Sequence, residues 1–355
     1  MVSTLFHIPS RIGDPESGVP LFGFGLLLVL WAVAAVAATL WVAWRSGWPV
    51  AVRSLLLPLS LVGGMIVWVL PALDDGQGIP IRGYGVMLLA AVAAGTWLSI
   101  VRGRRMGFDA DTLLGLGTQI FLWGLVGARI FYVIEYHEQF FGQGRPLAES
   151  LAAVANVAAG GLVVFGSLPT AAVAAWWFAR RRGLDLLQLA DCIAPGLLVG
   201  LALGRVGCFL NGCCFGGECD LPWAVTFPPE SPPWFAQVQR GLLPNLPPET
   251  VGRSLPVHPA QLYAAIDAGL LAWLAVCFTP LARRDGQVFA LVLTIHPISR
   301  ILIEMIRVDE PPALGTPFSI SQLISLVLLG AAAMLWVVTF RRPPRVSFDS
   351  SSLTG

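Results

Sequence analysis

The stretch "GLLVGLALGRVGCFLNGCCFGG", from Gly196 to Gly217, indicates both the fold and the place of a site. An apolar run ends here in a glycine-rich break that contains Arg205, Asn211 and three cysteines. A charged group within a membrane helix is expensive unless it faces a polar cavity or a partner. The stretch therefore predicts a membrane helix that ends at a polar site.

The composition of the whole chain is typical of a polytopic membrane protein. Of its 355 residues, 56% are hydrophobic and 12% are charged, and the mean hydropathy is +0.74. A soluble domain carries about 25% charged residues. No basic stretch is interleaved with aromatic residues, which argues against a nucleic-acid partner.

Apolar runs between arginine, proline and glycine residues predict an all-α protein with about nine transmembrane helices and a small outer-face cap. The predicted spans are Pro20–Ala43, Ser54–Leu70, Ile81–Val101, Thr112–Ile134, Val154–Phe178, Leu186–Val206, His258–Leu281, Gln287–Ile306 and Ser319–Phe340.

The arginines predict the orientation of these spans. Every odd-numbered span is followed by a basic cluster, from Arg45 and Arg53 after the first to "RRPPR" after the ninth. The positive-inside rule then places the N-terminus outside and the C-terminus in the cytoplasm. Residues 341–355 are expected to be a disordered cytoplasmic tail. The first helix is expected to remain as an anchor, because the residues before it lack the pattern of a signal peptide.

Residues 207–257 form the predicted cap on the outer face. Its segments "PPESPPWF" and "LPNLPPET" are rich in proline, which argues against helix and favours short strands. Trp223 and Trp234 are expected at the level of the lipid headgroups.

Ionisable residues within the spans mark the candidate site, because each costs roughly 2.5–3.5 kcal/mol to insert. Arg129, with Glu135 six residues later, and Arg205 are two such places. The two others are "VHPAQLYAAIDAG", with His258, Gln261, Tyr263 and Asp267, and "TIHPISRILIEMIRVDE", with His296, Arg300, Glu304 and Arg307.

The stretch "TIHPISRILIEMIRVDE" predicts a polar stripe on one helix face. Arg300 and Glu304 are four residues apart and are expected to pair. Arg307 and His296 extend the same face in the two directions. A structural ion-pair stripe that fastens neighbouring helices is the alternative to a functional site.

The arginines of these four polar sites lie in the outer half of the predicted spans and favour an anionic ligand. A guanidinium group suits bidentate binding of phosphate, so a phospholipid headgroup is the expected ligand. The glycine-broken helix "ANVAAGGLVVFGSLPTAAVAAWW" would also fit a carrier or channel. Against a carrier, Asp267 is the sole acidic candidate for ion coupling near the middle of a span.

Cys208, Cys213, Cys214 and Cys219 cluster in the sequence. Their spacing is not a usual zinc spacing, so no metal site and no cofactor are predicted. Three interpretations stay open: a disulfide on an oxidising face, small buried apolar residues, and a reactive thiol beside Arg205.

Five stretches together resemble the prolipoprotein diacylglyceryl transferase family. "GRVGCFLNGCCFG" resembles the signature G-R-x-G-N-F-x-N-G-E-x-x-G, and "HPAQLY" matches H-P-x-Q-L-Y at every specified position. "RGYGVM" resembles Y-G-x-M, and "AGGLVVFGSL" resembles G-G-x-x-x-H-G-G. "GQVFALVLTIHPISRILIEMIRVDE" resembles the closing helix, Y-G-x-x-R-F-x-x-E-F-x-R. The motifs agree in order and spacing from about Ile79 onward.

The resemblance implies transfer of the diacylglyceryl group of phosphatidylglycerol to the lipobox cysteine thiol of a prolipoprotein, with release of glycerol phosphate. The implied partners are phosphatidylglycerol and the prolipoprotein signal peptide, and the implied location is the bacterial plasma (inner) membrane. Residues 79–340 would then form a transferase-like membrane domain, and residues 1–78 an N-terminal extension with two predicted membrane helices.

The resemblance also gives roles to the polar residues. Arg205 would hold the lipid phosphate, Arg300 would clamp the same phosphate or the acceptor, and Glu304 would orient Arg300. The predicted catalytic residues are Arg205, Arg300 and His296. The predicted substrate-binding residues are Arg205, Asn211, Tyr84, Gly160, Gly161, His258, Gln261, Tyr263, Glu304, Arg307 and Arg129.

Several positions depart from the family motifs. Phe165 stands where the family has its histidine, and Cys208 and Cys213 stand at the asparagine and glutamate of the signature. Ala264 replaces a glutamate and His296 replaces a tyrosine. If the missing histidine is the thiol base, His296 is the candidate replacement, since imidazole accepts protons near neutral pH. The departures keep a second hypothesis open: a non-catalytic phospholipid-binding or transport protein on the same scaffold.

Overall fold

Long helices account for most of the structure, a computed structural model that describes residues 4–13, 18–75, 78–141, 146–156, 161, 163–244, 246–308 and 315–344. The helices are α1 (Leu26–Ser46), α2 (Trp48–Gly64), α3 (Leu70–Ala72), α4 (Gly83–Arg105), α5 (Ala110–Glu135), α6 (His137–Phe141), α7 (Leu147–Ala155), α8 (Val164–Arg182), α9 (Leu186–Asn211), α10 (Pro232–Gln239), α11 (Pro248–Val251), α12 (Ala260–Phe278), α13 (Gln287–Glu304) and α14 (Ile320–Arg341). A π-helical turn, Met65–Val69, joins α2 to α3, and a 3-10 turn, Thr279–Leu281, follows α12.

Eight of the described helical segments are long and apolar enough to cross a membrane. They are α1, Trp48–Ala72, α4, α5, α9, Ala260–Leu281, α13 and α14. This confirms the prediction of an all-α polytopic membrane protein. The difference from the predicted spans lies at Val154–Phe178, where α7 ends at Ala155 and α8 begins at Val164. Since α8 ends in three arginines, its apolar part is too short to be counted among the eight.

The chain divides into two compact units, residues 1–87 with 210–212 and residues 88–209 with 213–355. In the first unit, β1 (Thr4–Ile8) pairs antiparallel with β4 (Ile79–Arg82), and β2 (Arg11–Ile12) pairs with β3 (Val19–Pro20). Helices α1 and α2 pack together at Gly63, where an added Cβ would lie 2.8 Å from the Trp31 ring.

In the second unit, small residues allow close helix packing. Helices α5 and α8 meet at Gly127 and Gly166, where an added Cβ on either glycine would lie within 2.4 Å of the other's carbonyl oxygen. Helices α4 and α9 meet in the same way at Gly95 and Gly196. Close backbone approach at small residues is how membrane helices gain packing energy, since lipid supplies no hydrophobic driving force between them.

The basic ends of the helices in the second unit are fixed by polar contacts to backbone groups. Arg102, buried at the end of α4, donates from Nε to the Cys192 carbonyl (3.1 Å) and from Nη2 to the Asp191 carbonyl (3.0 Å) and the Thr279 hydroxyl (3.0 Å). The fully buried Asp191 carboxylate accepts from the backbone N–H groups of Gly286 and Phe289. It thereby satisfies two N–H groups that the first turn of α13 leaves unpaired.

The predicted cap contains helices as well as isolated bridges. Val225 and Glu218 each form a bridge with Val257, but "PPWF" begins α10 and "PET" lies in α11. The prediction against helix was wrong, because proline is well tolerated in the first helical turn, where no N–H partner is lost. Trp234 is buried in the cap rather than placed at a headgroup surface, whereas Trp223 is exposed.

Candidate functional site

Backbone pairing brings three of the sequence motifs together in the second unit. Gly216 N–H donates to the His258 carbonyl (3.0 Å), and His258 N–H donates to the Gly217 carbonyl (2.9 Å). Gly217 N–H donates to the Ile306 carbonyl (2.8 Å), and Gly216 forms a bridge with Arg307. A Cβ on Gly216 would lie 2.6 Å from the Cβ of His258, so this position requires glycine.

Glu304 lies at the centre of a buried ion-pair cluster. Arg300 Nη2 lies 2.9 Å and Arg307 Nη1 lies 3.4 Å from Glu304 Oε2, and the Glu304 side chain is 3% exposed. The predicted pairing of Arg300 with Glu304 is therefore confirmed. Ser319 donates to Glu304 Oε1 (3.1 Å), and Arg300 also donates to the Ser321 hydroxyl (2.9 Å). One carboxylate thus fixes two guanidinium groups between α13 and the start of α14.

Arg205 is half-buried in the last part of α9. Its side chain makes no hydrogen bond or ion pair with any residue that the structure describes. The positive charges of Arg205 and Arg307 act on the Cys214 thiol. Those of Arg205 and Arg300 act on the His296 ring. Arg205 therefore offers an available guanidinium group within a cluster of positive charge.

His296 lies on α13, one turn before Arg300. Its Nδ1 atom is buried and has no hydrogen-bond partner among the described residues. Asp267 of α12 also interacts with the His296 ring, and the Ser299 hydroxyl donates to Asp267 Oδ2 (2.8 Å). The buried His296 ring thus lies within the influence of two arginines and one carboxylate.

The H-P-x-Q-L-Y motif forms the entry to α12. The His258 Nδ1 atom lies 3.4 Å from the Tyr263 hydroxyl oxygen, which accepts from Trp223 Nε1 (2.7 Å). The buried Gln261 donates from Nε2 to the Cys213 carbonyl (2.7 Å). These contacts fix the cysteine-bearing segment against the start of α12.

Arg129 binds backbone carbonyl groups in the last turn of α7 and just after it. Its guanidinium group donates to the carbonyls of Val154 (2.9 Å), Gly161 (2.9 Å), Ala153 (2.6 Å) and Asn156 (3.0 Å). These bonds satisfy carbonyl groups at the end of a helix. An apolar groove of about 380 Å³ lies beside Arg129, between α5 and α7. Substrate binding by Arg129 stays a prediction.

The remaining predicted residues are spread over other parts of the chain. Tyr84 is in the first turn of α4 and Asn211 is the last residue of α9, and both belong to the first unit. Gly160 lies outside the described residues. Gly161 has a φ of +78°, which favours glycine. Phe165 is in α8, and its side chain is outside the described part.

Three of the clustered cysteines converge. The Sγ atoms of Cys208, Cys213 and Cys214 all lie within 4.8 Å of one another, and no disulfide joins these three residues. Hydrogen bonds from the other two thiols lower the pKa of Cys214, and Arg205 and Arg307 lower it further, whereas burial opposes the shift. The three interpretations of the cysteines stay predictions.

Two residues that build the site, Gly216 and Ser319, were not predicted from the sequence. The need for glycine at Gly216 depends on backbone pairing across long sequence separations, which no local pattern shows. The role of Ser319 had a signal, since "SISQ" is a capping box and Ser319 caps α14 with Gln322.

The fold and the site together define a multi-pass membrane protein with a buried arginine cluster suited to an anionic group. A sequence model described as prolipoprotein diacylglyceryl transferase matches residues 71–338, which is more than half of the chain. The chain belongs to the prolipoprotein diacylglyceryl transferase family, a family of enzymes.

Individual relatives carry the same description. The chain is 37% identical over 238 residues to the phosphatidylglycerol–prolipoprotein diacylglyceryl transferase of Rhodopirellula baltica, covering 64% of this chain and 47% of that protein. It is 30% identical over 293 residues to that of a Nostoc species, covering 80% and 95%. It is 28% identical over 256 residues to that of Clostridium tetani, covering 72% and 92%. The chain thus spans about half the length of the first relative and most of the other two.

Proposed function

We propose that this protein transfers the diacylglyceryl group of phosphatidylglycerol to the lipobox cysteine thiol of prolipoproteins. The observation that carries the proposal is Arg205, a guanidinium group in a membrane helix with no partner among the described residues. Such a group is costly unless a ligand compensates it. Family membership favours this function over a non-catalytic lipid-binding or transport protein.

In this proposal Arg205 binds the lipid phosphate and stabilises the charge that develops on the leaving glycerol phosphate. A planar guanidinium group gives two parallel, charge-assisted hydrogen bonds to a phosphate. Its advantage over water is preorganisation, because the donors are in place before the C–O bond breaks.

The roles of Arg300 and Arg307 in this proposal follow from their shared partner, Glu304. Glu304 holds both guanidinium groups and neutralises one of the two charges. Arg300 is the more exposed of the two and clamps the phosphate or the acceptor segment, whereas Arg307 keeps the "GCCFGG" segment in place.

The acceptor must react as a thiolate, because the thiol is a poor nucleophile. His296 accepts the thiol proton at Nδ1, the buried nitrogen without a partner among the described residues. The thiolate sulfur attacks the glyceryl carbon, the C–S bond forms, and the C–O bond to the phosphate breaks. Glycerol phosphate leaves with the electron pair beside Arg205.

We also propose a substrate-binding role for the other predicted residues: Tyr84, Asn211, Gly160, Gly161, His258, Gln261, Tyr263 and Arg129. We also propose that the protein lies in the bacterial inner membrane with the N-terminus outside and the C-terminus in the cytoplasm. The proposed transferase-like domain covers residues 79–340. Reporter fusions after Arg182 and after residue 344 test the orientation, and both should report the cytoplasm.

The test is modification of a lipobox peptide by the purified protein with phosphatidylglycerol in detergent. The wild type should add the mass of one diacylglyceryl group to the peptide cysteine, and Arg205→Ala should not. Arg104→Ala is the matched control, since this arginine is exposed at the end of α4, and it should modify the peptide like the wild type. Arg205-dependent binding of phosphatidylglycerol without any modified peptide would instead support the non-catalytic alternative.

A further inference from the structure

The three converging cysteines have the geometry of a metal site. Three sulfurs bound to one tetrahedral ion at 2.3 Å are about 3.8 Å apart. The Sγ atoms of Cys208, Cys213 and Cys214 are all within 4.8 Å of one another, so only a small contraction separates them from that arrangement. Cys219 does not belong to this group.

The backbone holds these sulfurs in place. Cys213 N–H donates to the Cys208 carbonyl (3.2 Å), and Gln261 donates to the Cys213 carbonyl (2.7 Å). Cys214 has a φ of +58°, a left-handed conformation that is uncommon for a residue with a side chain. The pairing of Gly216 with His258 fixes the segment two residues later. The cluster is therefore built by tertiary contacts of the fold rather than by a local motif.

The surroundings suit an anionic metal complex. Three thiolates and one divalent ion carry a net charge of −1, and the positive charges of Arg205 and Arg307 act on this place. Thiolate sulfur is a soft ligand and selects soft or borderline ions. Three protein ligands leave a fourth tetrahedral position open, as in catalytic zinc sites.

We propose that Cys208, Cys213 and Cys214 bind one thiophilic divalent ion of the zinc class, and that its open fourth position takes the acceptor cysteine thiol. The role of the fourth position rests on the proposed function. Metal binding would give a function to Cys208 and Cys213, which replace the asparagine and glutamate of the family signature.

The chemistry balances without a further reactant. The acceptor thiol loses its proton to His296 as the sulfur binds the ion, because a coordinating thiol is deprotonated. The bound sulfur then attacks the glyceryl carbon, forming the C–S bond as the C–O bond breaks. The electron pair leaves on the phosphate oxygen of glycerol phosphate beside Arg205, and the neutral thioether product dissociates from the ion.

Titration of the chelator-treated, reduced protein with Co²⁺ under nitrogen tests the site. The wild type should bind one Co²⁺ per chain with a thiolate-to-metal charge-transfer band. The substitutions Cys208→Ser, Cys213→Ser and Cys214→Ser should each weaken binding by more than about 100-fold, the upper range for loss of an outer-shell partner. Cys219→Ser and the exposed Cys277→Ser are matched controls and should bind like the wild type. Equal binding by all five variants, or no stoichiometric binding by the wild type, overturns the proposal.

A second measurement needs no variant and so does not depend on their folding. Zn²⁺ should protect three thiols of the wild type from alkylation, and mass spectrometry of the digest should assign them to positions 208, 213 and 214. Protection of other cysteines, or a disulfide among these three after purification under nitrogen with reductant, contradicts the site.

The fourth ligand is tested with the acceptor. A lipobox peptide should intensify the charge-transfer band of the Co²⁺ protein, and the same peptide with serine for cysteine should not. An unchanged band overturns the role of the fourth position. Peptide modification by protein that binds no metal would reject the metal site and keep the transferase. Metal binding as expected without any modification would reject the transferase instead.

Discussion

Arg102 and Arg205 both lie in long apolar helices of the second unit, but their guanidinium groups are used differently. Arg102 donates to two backbone carbonyls and one hydroxyl of neighbouring segments. Arg205 makes no hydrogen bond or ion pair with the described residues. An arginine in a membrane helix therefore stabilises the fold when protein acceptors occupy its guanidinium group, and the group is available for a ligand when they do not.

Arg129 and Arg300 extend this comparison. Four backbone carbonyls occupy Arg129, which resembles Arg102 in this respect. Arg300 is held by Glu304 and Ser321 but is partly exposed, so it keeps some capacity for a ligand. We therefore expect stability effects from Arg102, activity effects from Arg205, and both from Arg129 and the Glu304 cluster.

The largest expected effect is that of His296→Phe on transfer. Loss of a general base lowers the rate about 10²–10⁴-fold, while the thermal midpoint should change little because Nδ1 has no partner among the described residues. The rate of peptide modification measures the loss of transfer, and thermal unfolding in detergent measures the midpoint. The exposed His137→Phe is the control and should keep the wild-type rate. Full activity of His296→Phe would reject the assignment of the base.

Glu304→Ala should cost both stability and activity. Removing one member of a buried ion pair destabilises a protein by about 3–5 kcal/mol, because the remaining charge is left uncompensated. Two guanidinium groups lose their partner here. Thermal unfolding measures the loss, with the exposed Glu135→Ala as the control. Equal midpoints for the two variants would show that the cluster does not hold α13.

Gly216→Ala should have an intermediate effect. The new Cβ would lie 2.6 Å from the His258 Cβ, so the segment must shift, at a cost of about 1–3 kcal/mol. Gly269→Ala on α12 is the control, because a Cβ there meets nothing within 4 Å. A midpoint of Gly216→Ala at or above that of the control would contradict the described pairing of the motifs.

The smallest expected effect is a pH dependence at Asp185, immediately before the start of α9. Burial raises the pKa of Asp185, but hydrogen bonds from the Gln188 N–H, Arg342 and the Leu187 N–H outweigh burial and hold the pKa below its usual value. A lowered pKa in the folded state adds stability above the unfolded pKa of about 3.9, and that stability is lost as the pH falls through the folded value. Because both groups are more than a third exposed in their side chains, the contribution is at most about 1 kcal/mol.

The measurement for Asp185 is the difference in thermal midpoint between the wild type and Asp185→Asn from pH 7 to pH 3. The difference should be constant at the upper end and should shrink below about pH 4. A difference that grows as the pH falls would contradict the sign of the shift.

Hydropathy was sufficient to predict eight of the nine spans, and spacing was sufficient for the Arg300–Glu304 pair, because both depend on local sequence patterns. The pairing of Gly216 with His258 and Arg307 was not predictable, since it joins segments about 40 and 90 residues apart in the chain. The sequence places Arg102 just after a predicted span and Arg205 within one, but the carbonyl groups that occupy Arg102 lie about 90 residues away in the chain and were not predictable. The helices in the cap were missed because proline was taken as a helix breaker at positions where it begins a helix.

The most direct test of this account compares Arg205→Ala with Arg102→Ala in two measurements, thermal unfolding in detergent and peptide modification per folded molecule. Arg205→Ala should keep the wild-type midpoint and lose at least about 10²–10³-fold in rate, the loss typical of a charge-stabilising donor. Arg102→Ala should unfold at a clearly lower temperature and keep its rate per folded molecule. The reverse pattern, in which Arg205→Ala loses stability and its folded fraction still modifies the peptide at the wild-type rate, would refute the assignment of Arg205 to the lipid phosphate.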